Sequence, residues 1–95
     1  RSIILGLFNK YIIRNFKYPS KARRKNIQGE VNVLIIVGVD GIVKVLNTHA
    51  PEGCELLVEE AIRIINLLPK LEPGIKDGKP ISVTYAIPIA FKLID

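Results

Sequence analysis

From Ile81 to Leu93 the chain alternates without a break: Ile81, Val83, Tyr85, Ile87, Ile89, Phe91 and Leu93 stand against Ser82, Thr84, Ala86, Pro88, Ala90 and Lys92. Successive side chains of a strand point to opposite faces, so an extended strand gathers the first set on one apolar face, whereas a helix would scatter it around its axis. Such a strand needs partner strands beside it and a layer to cover its apolar face, and the rest of the chain must supply both. Pro88 narrows the choice further. It has no N–H to give a ladder, so it is tolerated on a sheet edge with its nitrogen turned outward, or at a bulge. The strand is therefore expected at an edge. Ala86, Pro88, Ala90 and Lys92 then turn their backbone groups to the open side, and Ile87, Ile89 and Phe91 pair inward.

Partner strands are written between residues 30 and 48. Val31, Val33, Ile35 and Val37 alternate with Asn32, Leu34, Ile36 and Gly38, a β-branched strand half polar at its start and expected to be buried on both faces at its end. Asp40-Gly41 offers the positive φ of a tight hairpin, with Ile42 to Asn47 returning. Two helical patterns precede this hairpin. Ile4, Leu7, Phe8, Tyr11, Ile12 and Phe16 fall on one side at helical spacing. Pro19 ends that helix and starts a short one, Ser20 to Asn26, which Gly29 closes. His49 to Gly53 reads as a loop. Leu57, Ala61, Ile64, Ile65 and Leu68 against Glu59, Glu60, Arg63 and Asn66 give a longer helix with acid early and base late, which Pro69 stops. Lys70 to Pro80, with Pro73-Gly74 and Asp77-Gly78, reads as a polar link. The order ααββαβ predicts an α+β fold: a three-stranded antiparallel sheet in the order 2-1-3 with helices packed on one face.

Ninety-five residues suit one domain, 1–95. Its parts are an amphipathic helix over 1–17, a short helix and turn over 18–29, a hairpin over 30–48, a helix over 54–68 and an edge strand over 81–93. No apolar run approaches the roughly 20 residues that span a bilayer. The chain begins with Arg1 rather than a methionine and reads as a fragment of something longer. Residues 1–30 carry eight Lys and Arg against Glu30 alone. That basic third is mainly a solvated face that could steer an acidic partner.

Chemistry is hard to find in this sequence. His49 is the only histidine and Cys54 the only cysteine, and no third group marks an oriented nucleophile. His49, Glu52, Cys54 and Glu55 lack the repeated spacing of a metal site. The glycines form no phosphate loop, and the basic run Lys21 to Lys25 lacks the aromatic strand motifs that accompany RNA recognition. No enzyme, no metal, no cofactor and no nucleic-acid partner is expected.

The residues that remain fall into an order. Tyr18-Pro19 is followed by Ala22, then Ile27, Gly29 and Val31. Asp40-Gly41 precedes Val43, and Glu59-Glu60-Ala61 lies in the long helix. Pro69-Lys70 and Pro73-Gly74 follow, then Gly78-Lys79-Pro80 and the terminal Pro88-Ile89-Ala90-Phe91-Lys92-Leu93. From about Leu7 to Leu93 this resembles the C-terminal domain of the TonB energy transducers of Gram-negative bacteria. It departs from that family at Leu71 and Glu72, where a tryptophan and a basic residue are usual, at Val58, and at Lys17 before the Tyr-Pro pair.

The resemblance implies a non-enzymatic periplasmic domain of a protein anchored in the inner membrane and driven through its upstream regions by a motor complex powered by the proton-motive force. Such a domain grips the TonB box of outer-membrane nutrient receptors, siderophore receptors among them, by β-strand addition. The implied partner-binding residues are Tyr18, Pro19, Ala86, Ile87, Pro88, Ile89, Ala90, Phe91, Lys92 and Leu93. A homodimer stays open, as does an alternative reading as a TonB-like interaction module of a sensory or scaffold protein.

Overall fold

The computed structural model describes residues 10–93. The start of the expected first helix, residues 1–9 with Ile4, Leu7 and Phe8, lies outside them. Residues 10–15 are helical (α1) and are followed by α2, Ser20–Arg24. Strands β1, Gly29–Val37, and β2, Val43–His49, form a hairpin, and α3 spans Glu55–Asn66. Two short strands, β3 Gly74–Lys76 and β4 Lys79–Ile81, precede β5, Val83–Phe91. The main sheet is antiparallel in the order β2-β1-β5. This is the α+β, three-stranded architecture that the alternation and turn signals imply. None of the described helices is long and apolar enough to cross a membrane.

One side of the sheet carries the core. Val31, Val33, Ile35 and Val37 of β1 and Ile87, Ile89 and Phe91 of β5 meet Leu57, Ala61 and Ile65 of α3 and Ala22 of α2, all at most 3% exposed. Full burial of an aliphatic or aromatic side chain of this size contributes about 1.5–3 kcal/mol relative to exposure. The opposite face is open. Leu34 is 38% exposed and Ile36 half-buried, so the end of β1 is not buried on both faces as its apolar run suggests.

Three turns depart from the sequence reading. Only Gly41 has a positive φ at the β1–β2 connection, +81°. Its N–H donates to the Gly38 carbonyl, the Gly38 N–H donates to the Ile42 carbonyl, and the Asp40 carboxylate accepts from the Ile42 N–H. The loop is thus longer than a two-residue turn. A side chain at Gly41 would put its Cβ 2.1 Å from the Leu71 carbonyl oxygen, because the segment after α3 crosses here and donates the Leu71 N–H to the Gly41 carbonyl.

The α2 segment ends on Asn26, left-handed at φ 57°, and Gly29 opens β1 instead of closing the helix. The supposed polar link holds a hairpin, β3–β4. Asp77 (φ 52°) and Gly78 (φ 77°) are both left-handed, the backbone a mirror-image two-residue turn requires. Ile81 therefore pairs with Gly74 and the edge strand covers Val83–Phe91 rather than 81–93. On the other side β2 runs on through His49, which the sequence reading gave to a loop.

Candidate functional site

The parity of the sheet follows from one hydrogen bond. Because the Gly38 N–H donates to Ile42, across the hairpin, the even-numbered residues of β1 aim their backbone groups at β2 and the odd-numbered ones at β5. The register pairs odd with odd between β1 and β5: Val31 with Ile89, Val33 with Ile87, Ile35 with Tyr85. Thr84, Ala86, Pro88 and Ala90 consequently turn their backbones to the outer edge of β5. The missing donor of Pro88, opposite Asn32, requires the same parity independently. Beyond the strand, the Leu93 N–H is held inward by the Gln28 side chain at 2.8 Å. Lys92 lies just past the strand end and is not a ladder residue.

A groove of about 330 Å³ runs beside this edge, between Ile12, Ile13 and Phe16 on one wall and Pro88, Ile89 and Ala90 on the other. A wider cleft of about 860 Å³ lies around Lys17, Tyr18, Arg23, Asn26 and Lys92, with Phe16 lining both. Aromatic packing sets this junction. Phe16 and Tyr18 lie 5.3 and 5.9 Å from Phe91 between ring centroids, and Tyr18 meets Phe91 nearly edge-on, a favoured geometry. The Tyr18 hydroxyl donates to the Ile27 carbonyl. Burial raises its pKa, the neighbouring Cys54 adds to this, and the Arg23 guanidinium over the ring partly offsets it.

The wall formed by α1 is fastened to α3. Arg63 binds both oxygens of Glu60 at 2.8 Å and donates to the Asn15 carbonyl at 2.7 Å, while the Lys17 N–H donates to Glu60 at 2.8 Å. Glu60 is only 8% exposed. Burial alone would raise its pKa, but the hydrogen bonds from Arg63 and Lys17 together with their charges outweigh it and hold the carboxyl below its usual value.

Of the residues singled out from sequence, Tyr18 comes together with Lys92 and Leu93 at the cleft, and Pro88, Ile89 and Ala90 form the groove. Pro19 lines neither; it precedes α2 with φ −56° and ψ 127°. Ala86 sits further up the open edge and Ile87 and Phe91 are buried beneath it. The sequence reading missed Ile13, Asn26 and the joint placement of Lys17 and Arg23. Ile13 is off the apolar stripe of its helix and gave no signal. Cys54 is buried and donates weakly to the Gln28 carbonyl. Among the described residues no three His, Cys, Asp or Glu come together as metal ligands would.

Residues 14–93 match the model of the Gram-negative bacterial TonB protein C-terminal family. Two NMR structures of the Helicobacter pylori TonB C-terminal domain are similar to this chain. The one of its residues 179–285 is 27% identical with a TM-score of 0.63, covering 93% of this chain and 78% of its own. The one of its residues 194–285 is 26% identical with a TM-score of 0.55, covering 94% and 91%. No curated protein matches the sequence.

Proposed function

The chain belongs to the Gram-negative bacterial TonB protein C-terminal family, a family of non-enzymatic periplasmic domains that interact with outer-membrane receptors, and on that premise we propose that its β5 edge grips the TonB box of such a receptor by β-strand addition. The observation that carries this reading is the edge itself: nine residues long, walled by α1, with the backbones of Thr84, Ala86 and Ala90 turned outward. An extended peptide laid there gains main-chain hydrogen bonds along β5, and the groove beside Pro88 and Ala90 accepts its side chains. At Pro88 the peptide meets a carbonyl with no donor.

In this reading a full-length protein anchored in the inner membrane transmits force from a motor complex driven by the proton-motive force, and the domain is the end that pulls. Tyr18 supports the grip by holding Phe91 and the adjoining strand end. The test is amide exchange by NMR with a synthetic TonB-box peptide. Protection should appear at Thr84, Ala86 and Ala90. Protection on β2 at Val45 and Thr48 instead would assign the grip to the opposite edge and sink the proposal.

A further inference from the structure

We propose that α1 is a releasable strap beside β5. Glu60 and Arg63 of α3 are positioning residues that fasten its carboxyl end, and tension from the amino side of the chain unfastens it, removes one wall of the groove and lets a docked segment go. This rests on the strand-addition reading and adds to it a route of release.

The fastening is local. Arg63 donates to the Asn15 carbonyl at 2.7 Å, in the last turn of α1, where a helix leaves its carbonyls without donors of its own. The Lys17 N–H donates to Glu60 at 2.8 Å. Among the described residues these are the hydrogen bonds that tie 10–17 to the rest of the fold. Both depend on one pair, because Arg63 takes both oxygens of Glu60 and so holds the acceptor in place for Lys17. Ile12 and Phe16 add packing against the core, yet no side chain from 10 to 17 is fully buried. Ile13, 78% exposed, lines the groove instead.

Past residue 17 the anchorage changes. Residues 16–19 are not helical and form a joint. After it, Tyr18 is bonded to the Ile27 carbonyl and meets Phe91 edge-on, and Ala22 of α2 is fully buried. The β1–β5 ladder shares its load over nine residue pairs. Tension entering at Lys10 therefore meets the weakest attachment first and a firm one next, and segments with few buried contacts are those that open at least cost in free energy.

Force does work along the path of detachment, so it shifts the balance between fastened and detached α1 even where the fastened state dominates at rest. With α1 away, Pro88, Ile89 and Ala90 lose the wall made by Ile12, Ile13 and Phe16. A docked segment keeps its main-chain bonds to β5 and loses its side-chain contacts, which speeds dissociation more than it slows association.

An optical trap tests this. A synthetic TonB-box peptide is tethered to one bead and the 95-residue chain to the other, by its amino or by its carboxyl terminus, and lifetimes of the docked pair are read at one constant force. Amino-terminal attachment sends the load across α1; carboxyl-terminal attachment brings it in past β5 and bypasses α1. E60Q/R63Q, which leaves no buried charge unpaired, should shorten the lifetime roughly three- to tenfold in the first attachment and less than about twofold in the second. R63K, which keeps the charge and loses the two-pronged grip, should fall between. Pulled by its amino end, the unaltered chain should lengthen by about 16 Å or more before release, as 10–17 pass from roughly 1.5 to roughly 3.5 Å per residue.

Equal shortening in both attachments overturns the strap, since the pair would then act through the stability of the whole fold. An unchanged lifetime in the amino-terminal attachment, or release with no lengthening before it, overturns it too and leaves strand addition standing. A peptide that holds in neither attachment removes both readings.

Discussion

Among the described residues both outer strands of the sheet leave one side of their backbone without a strand neighbour, yet they are built differently. On β2 the inward side chains Val43, Val45 and Thr48 are only half-buried, and the ladder to β1 slips between Leu34 and Ile35, leaving Leu46 as an extra residue, 52% exposed. A bulge of this kind twists an edge and interrupts its template. On β5 the register runs unbroken over nine residues, and Ile87, Ile89 and Phe91 are buried at 3% exposure or less. From Ile87 to Phe91 this edge strand is packed as firmly as the central one, while Val83 and Tyr85 are half-buried. The difference teaches that an edge can stay open on its backbone side while its side chains tie it into the core, as the proposed grip on a receptor segment requires.

Stability should show the contrast most strongly. Phe91→Ala removes a fully buried ring that packs against Phe16 and Tyr18 and is expected to cost about 3–5 kcal/mol. Val45→Ala, on the half-buried side of β2, is expected to cost about 1 kcal/mol. Denaturant midpoints of the two variants measure this. Equal losses would mean that the strands are anchored alike and that the contrast between the edges is only one of shape.

Binding should come next. Ala90→Pro deletes an outward donor and places a ring at the β5 edge, so on the proposed strand addition peptide affinity should fall at least about tenfold, or roughly 1.4 kcal/mol. Thr48 lies opposite Val33, an odd-numbered residue of β1, so its own backbone faces outward from β2. Thr48→Pro is the matching change on the other edge and should alter affinity less than about twofold. Thermal melts check that both variants remain folded. A Thr48→Pro loss as large as that of Ala90→Pro would show that the two edges are not distinguished by the partner.

How much of this could be read before folding depends on the range of the interactions. The β5 alternation and the outward turn of Pro88 are local, since strand periodicity and a missing donor are properties of consecutive residues. The sheet order followed from the long helix, which has to carry the chain across the hairpin to the third strand. Asp77-Gly78 was visible as a turn, but its two left-handed residues make a hairpin only because Ile75 and Pro80 pair across it, and the short flanking runs did not announce strands. The groove and cleft were harder to read. They exist because Tyr18 and Phe16 close over Phe91 more than 70 positions away in sequence, and because Glu60 and Arg63 reach back to residues 17 and 15. Spacing in the sequence carries no trace of such contacts. Lys17 stood out only as a departure from the family's pattern, and its place at the cleft gives that departure a physical meaning.

The smallest effect concerns the wall that α1 forms beside the β5 edge. Glu60 holds α1 through Arg63 and the Lys17 amide, and Arg63 is 43% exposed, so solvent screening keeps the contribution of this bridge small. The folded-state pKa of Glu60 is depressed. Its stabilisation is therefore complete above the carboxyl's unfolded-state pKa, about 4.3, and is lost as the pH falls below that through the folded value. Glu60→Gln should lower the denaturant midpoint at neutral pH and leave a shrinking difference from the unaltered chain as the solution is acidified toward the folded pKa. Because the hydrogen bonds of this anchor run to α1 and the residues after it, with none to β2 among the described residues, amide exchange should quicken in residues 10–17 and leave Thr48 unchanged. A stability difference that stays constant across the acid range would mean that Glu60 acts through packing instead of charge. Equal quickening at Thr48 would mean that the wall belongs to the whole sheet and not to the β5 edge.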